Sequence, residues 1–160
     1  MRTFPTKILL ASDSSDTAAH AMDLAVELCE QTGSQLHLVY VGEDAYSSAT
    51  LISPEAADLE GVAREDPVLI EQLQQQSDRM ARRVLDTEVQ KVREAGGTVA
   101  QAHLRMGKAA AEIVDLAEEL GVGLVVVGSR GLGGVRRALM GSVSDSVVRH
   151  AHCPVLVVRH

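Results

Sequence analysis

Leu124-Val-Val-Val-Gly-Ser-Arg-Gly131 is an apolar, mostly β-branched run that feeds directly into a glycine-bearing turn. No polar residue alternates within the run. It therefore reads as a short strand covered on both faces, the habit of parallel sheets. Just upstream, Ala109–Leu120 sets Ile113, Val114, Ala117 and Leu120 on one side of a helix that Gly121-Val-Gly123 stops. Downstream, Gly141-Ser142 opens a second helix over Val143–His150, and Val155-Leu-Val-Val158 repeats the buried-strand pattern. Strands alternating with helices make crossover units, which parallel pairing requires.

The N-terminal part has the same rhythm. Lys7-Ile-Leu-Leu-Ala-Ser12 is a strand, and Asp16–Thr32 a helix with Ala18, Ala21, Met22, Ala25, Leu28 and Cys29 at three-and-four spacing before Gly33. Gln35–Val41 and Thr98–Met106 supply two further strands. The whole chain, 1–160, is expected to be one α/β domain with a doubly wound, five-stranded parallel sheet. Gly42–Asp66 breaks the rhythm: it is rich in Ser, Ala, Glu and Gly, carries Pro54 and has no sustained period. Loops of that length are usually functional or mobile. Pro67 suits the first turn of a long helix reaching about Ala95 and closed by Gly96-Gly97. The charged residues of that helix, among them Asp78, Arg82, Arg83, Asp86 and Glu88, read as a solvated face.

Composition narrows the partners. A hydrophobic share of 46% and a charged share of 23% are ordinary globular usage. The net charge of −7 disfavours nucleic acid and anionic membranes. Phe4, Tyr40 and Tyr46 are the whole aromatic set, too few to build a stacking platform. No apolar run approaches the ~18 residues of a membrane span, and the first residues lack the apolar core of a signal peptide. Cys29 and Cys153 are too few for a disulfide scaffold; they read as small core hydrophobes of a cytoplasmic protein. The charge is uneven, however. From Gly128 onward five arginines (130, 136, 137, 149, 159) face Asp145 alone. A compact anion with its own docking geometry fits that region; a long polyanion does not.

In an open parallel sheet, ligands bind beyond the carboxyl ends of the strands, where the strand order reverses. After the fourth strand, Gly128 and Gly131 allow positive φ and close approach of main-chain amides to a ligand. Gly141-Ser142 then presents a helix N-terminus, an anion site by its free amides and dipole, where Ser142 can cap the helix or donate to a phosphate oxygen. Arg130, Arg136 and Arg137 add charge nearby. The stretch is neither known phosphate loop: no lysine follows Lys108, and Arg136 stands where a dinucleotide fingerprint needs glycine. After the first strand comes Ser12-Asp13-Ser14-Ser15-Asp16. Ser14, Ser15 or Asp16 would cap the following helix. Asp13 is placed to accept from ribose hydroxyls or to help hold a hydrated Mg²⁺. His150, His152 and Cys153 diverge at a helix end and do not read as a metal site, and no general base accompanies the glycine loop.

Gly128-x2-Gly131-x9-Gly141-Ser142 resembles the nucleotide-binding signature of the universal stress protein family, ATP-binding subgroup. The likeness extends to the Ile-Leu-Leu strand ending in Asp13, to Gly107 ahead of the helix with Ile113, to Val-Val-Val127-Gly128-Ser129, and to the closing His152-Cys153-Pro154-Val-Leu-Val-Val158. It spans the chain except Tyr46–Asp66. The resemblance implies a flavodoxin-like sheet, as in adenine nucleotide α-hydrolases, of order 3-2-1-4-5. It also implies a homodimer and ATP with Mg (or Mn) in the crevice. Adenosine contacts would fall on Ala11, Asp13 and Val41, with Ser12 beside them and Val127 and Gly128 beneath the ribose. Phosphate contacts would fall on Arg130, Gly131, Gly141, Ser142 and Val143. Ala11 and Ala109 stand where the family often has proline, and Ser14 where it usually has glycine, so Ser14 is expected to crowd the turn.

The expected function is a nucleotide-dependent regulatory or protective module of the stress response, at most a slow ATPase. Its rivals are a nucleotide-hydrolysing or adenylyl-transfer enzyme of the same architecture and an interaction module with an empty crevice. A phosphorylatable receiver is disfavoured because the third strand ends in Arg105-Met106-Gly107, without aspartate. Val155–Val158, an apolar edge strand, is the expected dimer contact.

Overall fold

The computed structural model describes residues 4–44, 66–129 and 140–159. Arg130 and Gly131, and all of the 42–66 loop but its ends, lie outside them. The elements run β1 (Lys7–Ala11), α1 (Asp16–Thr32), β2 (Gln35–Gly42), α2 (Pro67–Glu94), β3 (Val99–Met106), α3 (Ala109–Leu120), β4 (Leu124–Gly128), α4 (Ser142–His150) and β5 (Val155–Val158). All four pairings are parallel and the sheet order is β3-β2-β1-β4-β5, as expected.

The two faces sort by the parity of the strands. Ile8, Leu10, Leu36, Leu38 and Val126 pack under Ala21, Met22, Ala25 and Val26 of α1 and Leu85 and Val92 of α2. Leu9, Val39, Val125 and Val127 pack under Ile113, Leu116 and Ala117 of α3 and Val147 of α4. The apolar runs of β1, β2 and β4 are therefore continuous because each serves two cores. β3, at one edge, exposes Ala100, Gln101 and Ala102. Cys29 and Cys153 pack against the cores, where burial pushes both thiols up and away from reactivity.

The helix ends follow local chemistry. Ser15, not Ser14 or Asp16, is the N-cap of α1: its Oγ accepts from the Ala18 amide at 3.2 Å. Gly33 closes α1 in the left-handed region at φ 71°. Asp66 caps α2 through the Leu69 amide, with Pro67 in the first turn. Among the described residues no helix is long and apolar enough to cross a membrane.

The β2–β3 pairing also brings two histidines together, which neither strand's pattern announces. His37 of β2, buried, and His103 of β3 stack with Nδ1 and Nε2 3.2 Å apart, and Nε2 of His37 has no partner among the described residues. Burial holds both imidazoles below the ordinary 6.5; Lys7 adds to this at His37, and His37 and Arg105 at His103, with Glu119 opposing. The folded chain thus keeps both rings neutral where the unfolded chain binds protons. Their contribution to stability is complete above pH 6.5 and is lost as the pH falls from there towards the folded-state values. Denaturant titrations between about pH 7.5 and pH 5 are expected to show a fall of at most ~1.4 kcal/mol per pH unit for each proton taken up. In the His37→Gln/His103→Gln double variant that slope should disappear; its persistence would place the titration elsewhere.

Candidate functional site

The chain steps outward through β1, β2 and β3, then returns past β1 to lay down β4 and β5 on the other side. The strand order therefore reverses between β1 and β4, where Ala11 pairs with Val127 at the carboxyl ends. The helices that follow them, α1 and α4, pack on opposite faces of the sheet, the arrangement in which an open parallel sheet leaves room for a ligand. Ala11, Val41 and Val127 all lie on the α3–α4 side of the sheet. Asp13 follows half-buried, its Oδ1 accepting from the Ser15 amide at 3.0 Å.

The opposite wall hangs from β4 and β5. The Ser129 amide donates to Val158 O at 2.8 Å and the Gly141 amide to Ser129 O at 2.6 Å. These bonds seat the start of α4 beside the end of β4. Gly141 is the N-cap, and the first intrahelical bond runs from the Asp145 amide to Gly141 O. The amides of Ser142, Val143 and Ser144 therefore precede the helix ladder, a natural anion cradle. Ser142 is a first-turn residue, so it is not the cap. Ser144 does the local stitching instead: its buried hydroxyl lies 3.0 Å from Gly141 O and 3.1 Å from Ser129 O.

At Gly128 the reason for glycine differs from the one the sequence suggests. Gly128 is not among the positive-φ residues of the described chain. A Cβ there would sit 2.7 Å from Thr17 Oγ1, 2.8 Å from Thr17 C and 2.9 Å from the Ala18 amide nitrogen. Close approach of α1 to β4, not left-handed backbone, excludes a side chain.

Ser12 and Glu88 are the largest departures. Ser12 has the opposite parity to Ala11, so its hydroxyl turns away from the α3–α4 side and donates to Glu88 Oε2 at 2.6 Å, while its amide donates to Val39 O. Ser14 stands at φ 66°, a left-handed position that costs a non-glycine residue roughly 1–2 kcal/mol. Its hydroxyl does not crowd the crevice but donates to Glu88 Oε1 at 2.9 Å. A hydrogen bond to a charged group contributes about 1.5–3 kcal/mol, enough to offset that strain. Lys91 completes the group at 2.7 Å from Glu88 Oε1.

Glu88 is thus 2% exposed rather than solvated. Its burial opposes ionisation, but the bonds from Lys91, Ser12 and Ser14 prevail and hold the carboxyl below its ordinary value. The signal is present in the sequence: positions 81, 85, 88 and 92 share one helical stripe, and the other three are apolar. Arg149 is already paired with Asp145 at 2.9 Å, while Arg136 and Arg137 lie outside the described residues. Tyr40 stands within reach of Glu43, Asp13 and Glu88, whose charges join burial in raising its phenol.

The sheet order, with helices on both faces and the start of α4 beside the end of β4, defines a doubly wound α/β protein. The model of the universal stress protein family matches residues 5–159, and the chain belongs to that family. It is 33% identical over 153 residues to universal stress protein YxiE of Bacillus subtilis, covering 96% of this chain and 98% of that one. Among solved structures, universal stress protein UspA from Lactobacillus plantarum superposes with a TM-score of 0.71 at 28% identity, covering 96% of this chain and 97% of that one. A universal stress protein in complex with cAMP shares the fold at TM-score 0.63 and 21% identity, covering 96% and 97% of the two chains. The Archaeoglobus fulgidus protein in complex with dAMP does so at 0.55 and 19%, covering 98% and 99%.

Proposed function

We propose that this chain is a nucleotide-dependent regulatory or protective module of the stress response that binds ATP, with Mg (or Mn), in the β1–β4 crevice. Adenosine would lie against Ala11, Asp13 and Val41, with Val127 and Gly128 beneath the ribose. The phosphates would rest on Arg130, Gly131, Gly141 and the amides of Ser142 and Val143, the Gly141 amide itself being given to Ser129 O. The observation that carries this is the seating of α4: the Ser129 and Gly141 bonds tie its first turn, whose amides precede the helix ladder, to the segment that directly follows Val127. Two proteins of the same fold are described in complex with adenine mononucleotides, which fits the chemistry of the crevice. Ser12 would contribute through its main chain, since its hydroxyl belongs to Glu88.

Among the described residues no three His, Cys, Asp or Glu side chains converge as a metal nest. A divalent cation would therefore arrive on the phosphates, with Asp13 as an accompanying carboxylate. The chain would work in the cytoplasm as a homodimer joined through β5, whose residues are only half-buried at the sheet edge. With no general base legible beside the glycine loop in the sequence, it would turn over ATP well below about one per second.

Native mass spectrometry with Mg-ATP is expected to show two chains carrying two nucleotides, and Gly131→Val to remove the nucleotide but not the dimer. A wild-type protein that stays empty at millimolar Mg-ATP would leave an interaction module. Turnover above about one per second would make the chain an enzyme.

A further inference from the structure

We propose that Glu88 of α2 is a positioning residue that sets Asp13 for the ligand. The two oxygens of its carboxylate each take one of the serines flanking Asp13: Oε2 accepts from Ser12 and Oε1 from Ser14, at 2.6 and 2.9 Å. The Ser14 amide also donates to Ser12 Oγ at 3.3 Å, so the turn is closed on both sides of Asp13 by one buried group. The two serines are thereby pulled to the α2 side of the β1 end. Asp13 lies between them, with one oxygen held by the Ser15 amide. The left-handed conformation of Ser14 is part of the same device, because a serine there has no other evident reason to be preferred to glycine. Lys91, with a side chain 46% exposed, neutralises the carboxylate from the solvent side through Oε1, the oxygen that also accepts from Ser14, and so belongs to the same cluster.

This inference rests on the nucleotide reading, and its test separates the two. Mg-ATP affinity is measured by calorimetry, together with amide hydrogen exchange at Ser15, on wild type, Glu88→Gln and Asp86→Asn. A glutamine accepts from one serine only; towards the other its amide donates, so that hydroxyl must reverse from donor to acceptor and the charge that strengthens both bonds is lost. Glu88→Gln is expected to weaken Mg-ATP at least tenfold and to speed exchange at Ser15, whereas Asp86→Asn, an exposed carboxylate of the same helix, stays within twofold on both. A purely structural Glu88 would lower the melting temperature and leave affinity and Ser15 exchange alone; that result overturns the proposal. Should Glu88→Gln fail to fold, Ser12→Ala removes a single bond and is expected to weaken binding at least threefold, unchanged affinity again overturning it. If wild type does not bind Mg-ATP, the nucleotide reading fails. Ser15 exchange then decides alone: faster exchange in Glu88→Gln upholds Glu88 as the setter of the turn, and unchanged exchange refutes it.

Discussion

Replacing Gly128 by alanine is expected to lower the thermal midpoint by about 2–12 °C, and by valine to prevent stable folding. The added Cβ would lie 2.8 Å from a backbone carbon of Thr17 and 2.9 Å from the Ala18 nitrogen. A flexible side chain can swing clear of such a clash; the first turn of α1 cannot. That turn is fixed by the Ser15 cap and by Ala18, Ala21 and Ala25 in the core beneath it. Relief therefore requires the whole helix to lift from β4. Overpacking of this kind costs ~1–3 kcal/mol, and at this chain length 1 kcal/mol shifts the midpoint by ~2–4 °C.

The substitution series also separates two physical reasons for a glycine. If left-handed backbone were the requirement, Gly128→Asn would be the best-tolerated replacement, because asparagine visits that region most readily. If close approach is the requirement, damage should rise with side-chain size, with Gly128→Ala mildest and Gly128→Asn clearly worse. The structure favours the second ranking. Thermal melts of the alanine, asparagine and valine variants in the absence of nucleotide decide it.

That distinction marks where the sequence can be read and where it cannot. Periodicity and composition are one-dimensional, and so are the properties they reveal. The five strands, the order of elements, and the helix ends at Gly33 and Pro67 are all legible because each is set within a few residues of chain. The family resemblance supplies the strand order, which local pattern cannot. What stays hidden is every property that depends on two distant segments meeting. Gly128 owes its identity to Thr17, more than a hundred residues away. The partners of Glu88 are hidden in the same way, since only β1 places two serines against it. His37 and His103 are ordinary strand residues in isolation, and become a stacked pair only through the β2–β3 register. Ser142 lies one position inside the helix rather than at its cap because Gly141 takes the extended cap backbone, and a glycine-serine pair does not reveal which of the two will. Even so, the apolar stripe through Ala81, Leu85 and Val92 carries position 88 into the core, a stronger signal than the charge it bears.

Asp13 is the residue on which the nucleotide reading can be tested most sharply, because its carboxylate has two separable jobs. One oxygen accepts from the Ser15 amide, a local bond at the entry to α1. The charge and the remaining acceptor capacity are what a ribose or a hydrated cation would use. Asp13→Asn keeps a carbonyl oxygen for the Ser15 amide and removes the charge; Asp13→Ala removes both. The asparagine variant is therefore expected to melt within about 1 °C of wild type, and the alanine variant ~2–4 °C lower, the effect of one uncompensated capping-type bond of ~1 kcal/mol. Nucleotide affinity should follow a different order. A hydrogen bond to a charged acceptor is worth ~1.5–3 kcal/mol, so losing the charge should weaken Mg-ATP roughly 10–100-fold in both variants. Equal loss of affinity with unequal loss of stability is the pattern that assigns the carboxylate to the ligand. If affinity instead tracks the melting temperature, falling only in Asp13→Ala, then Asp13 serves the turn alone and the ribose must be held elsewhere. If neither variant changes affinity, the nucleotide does not lie against the β1 end at all, whatever it does at the start of α4.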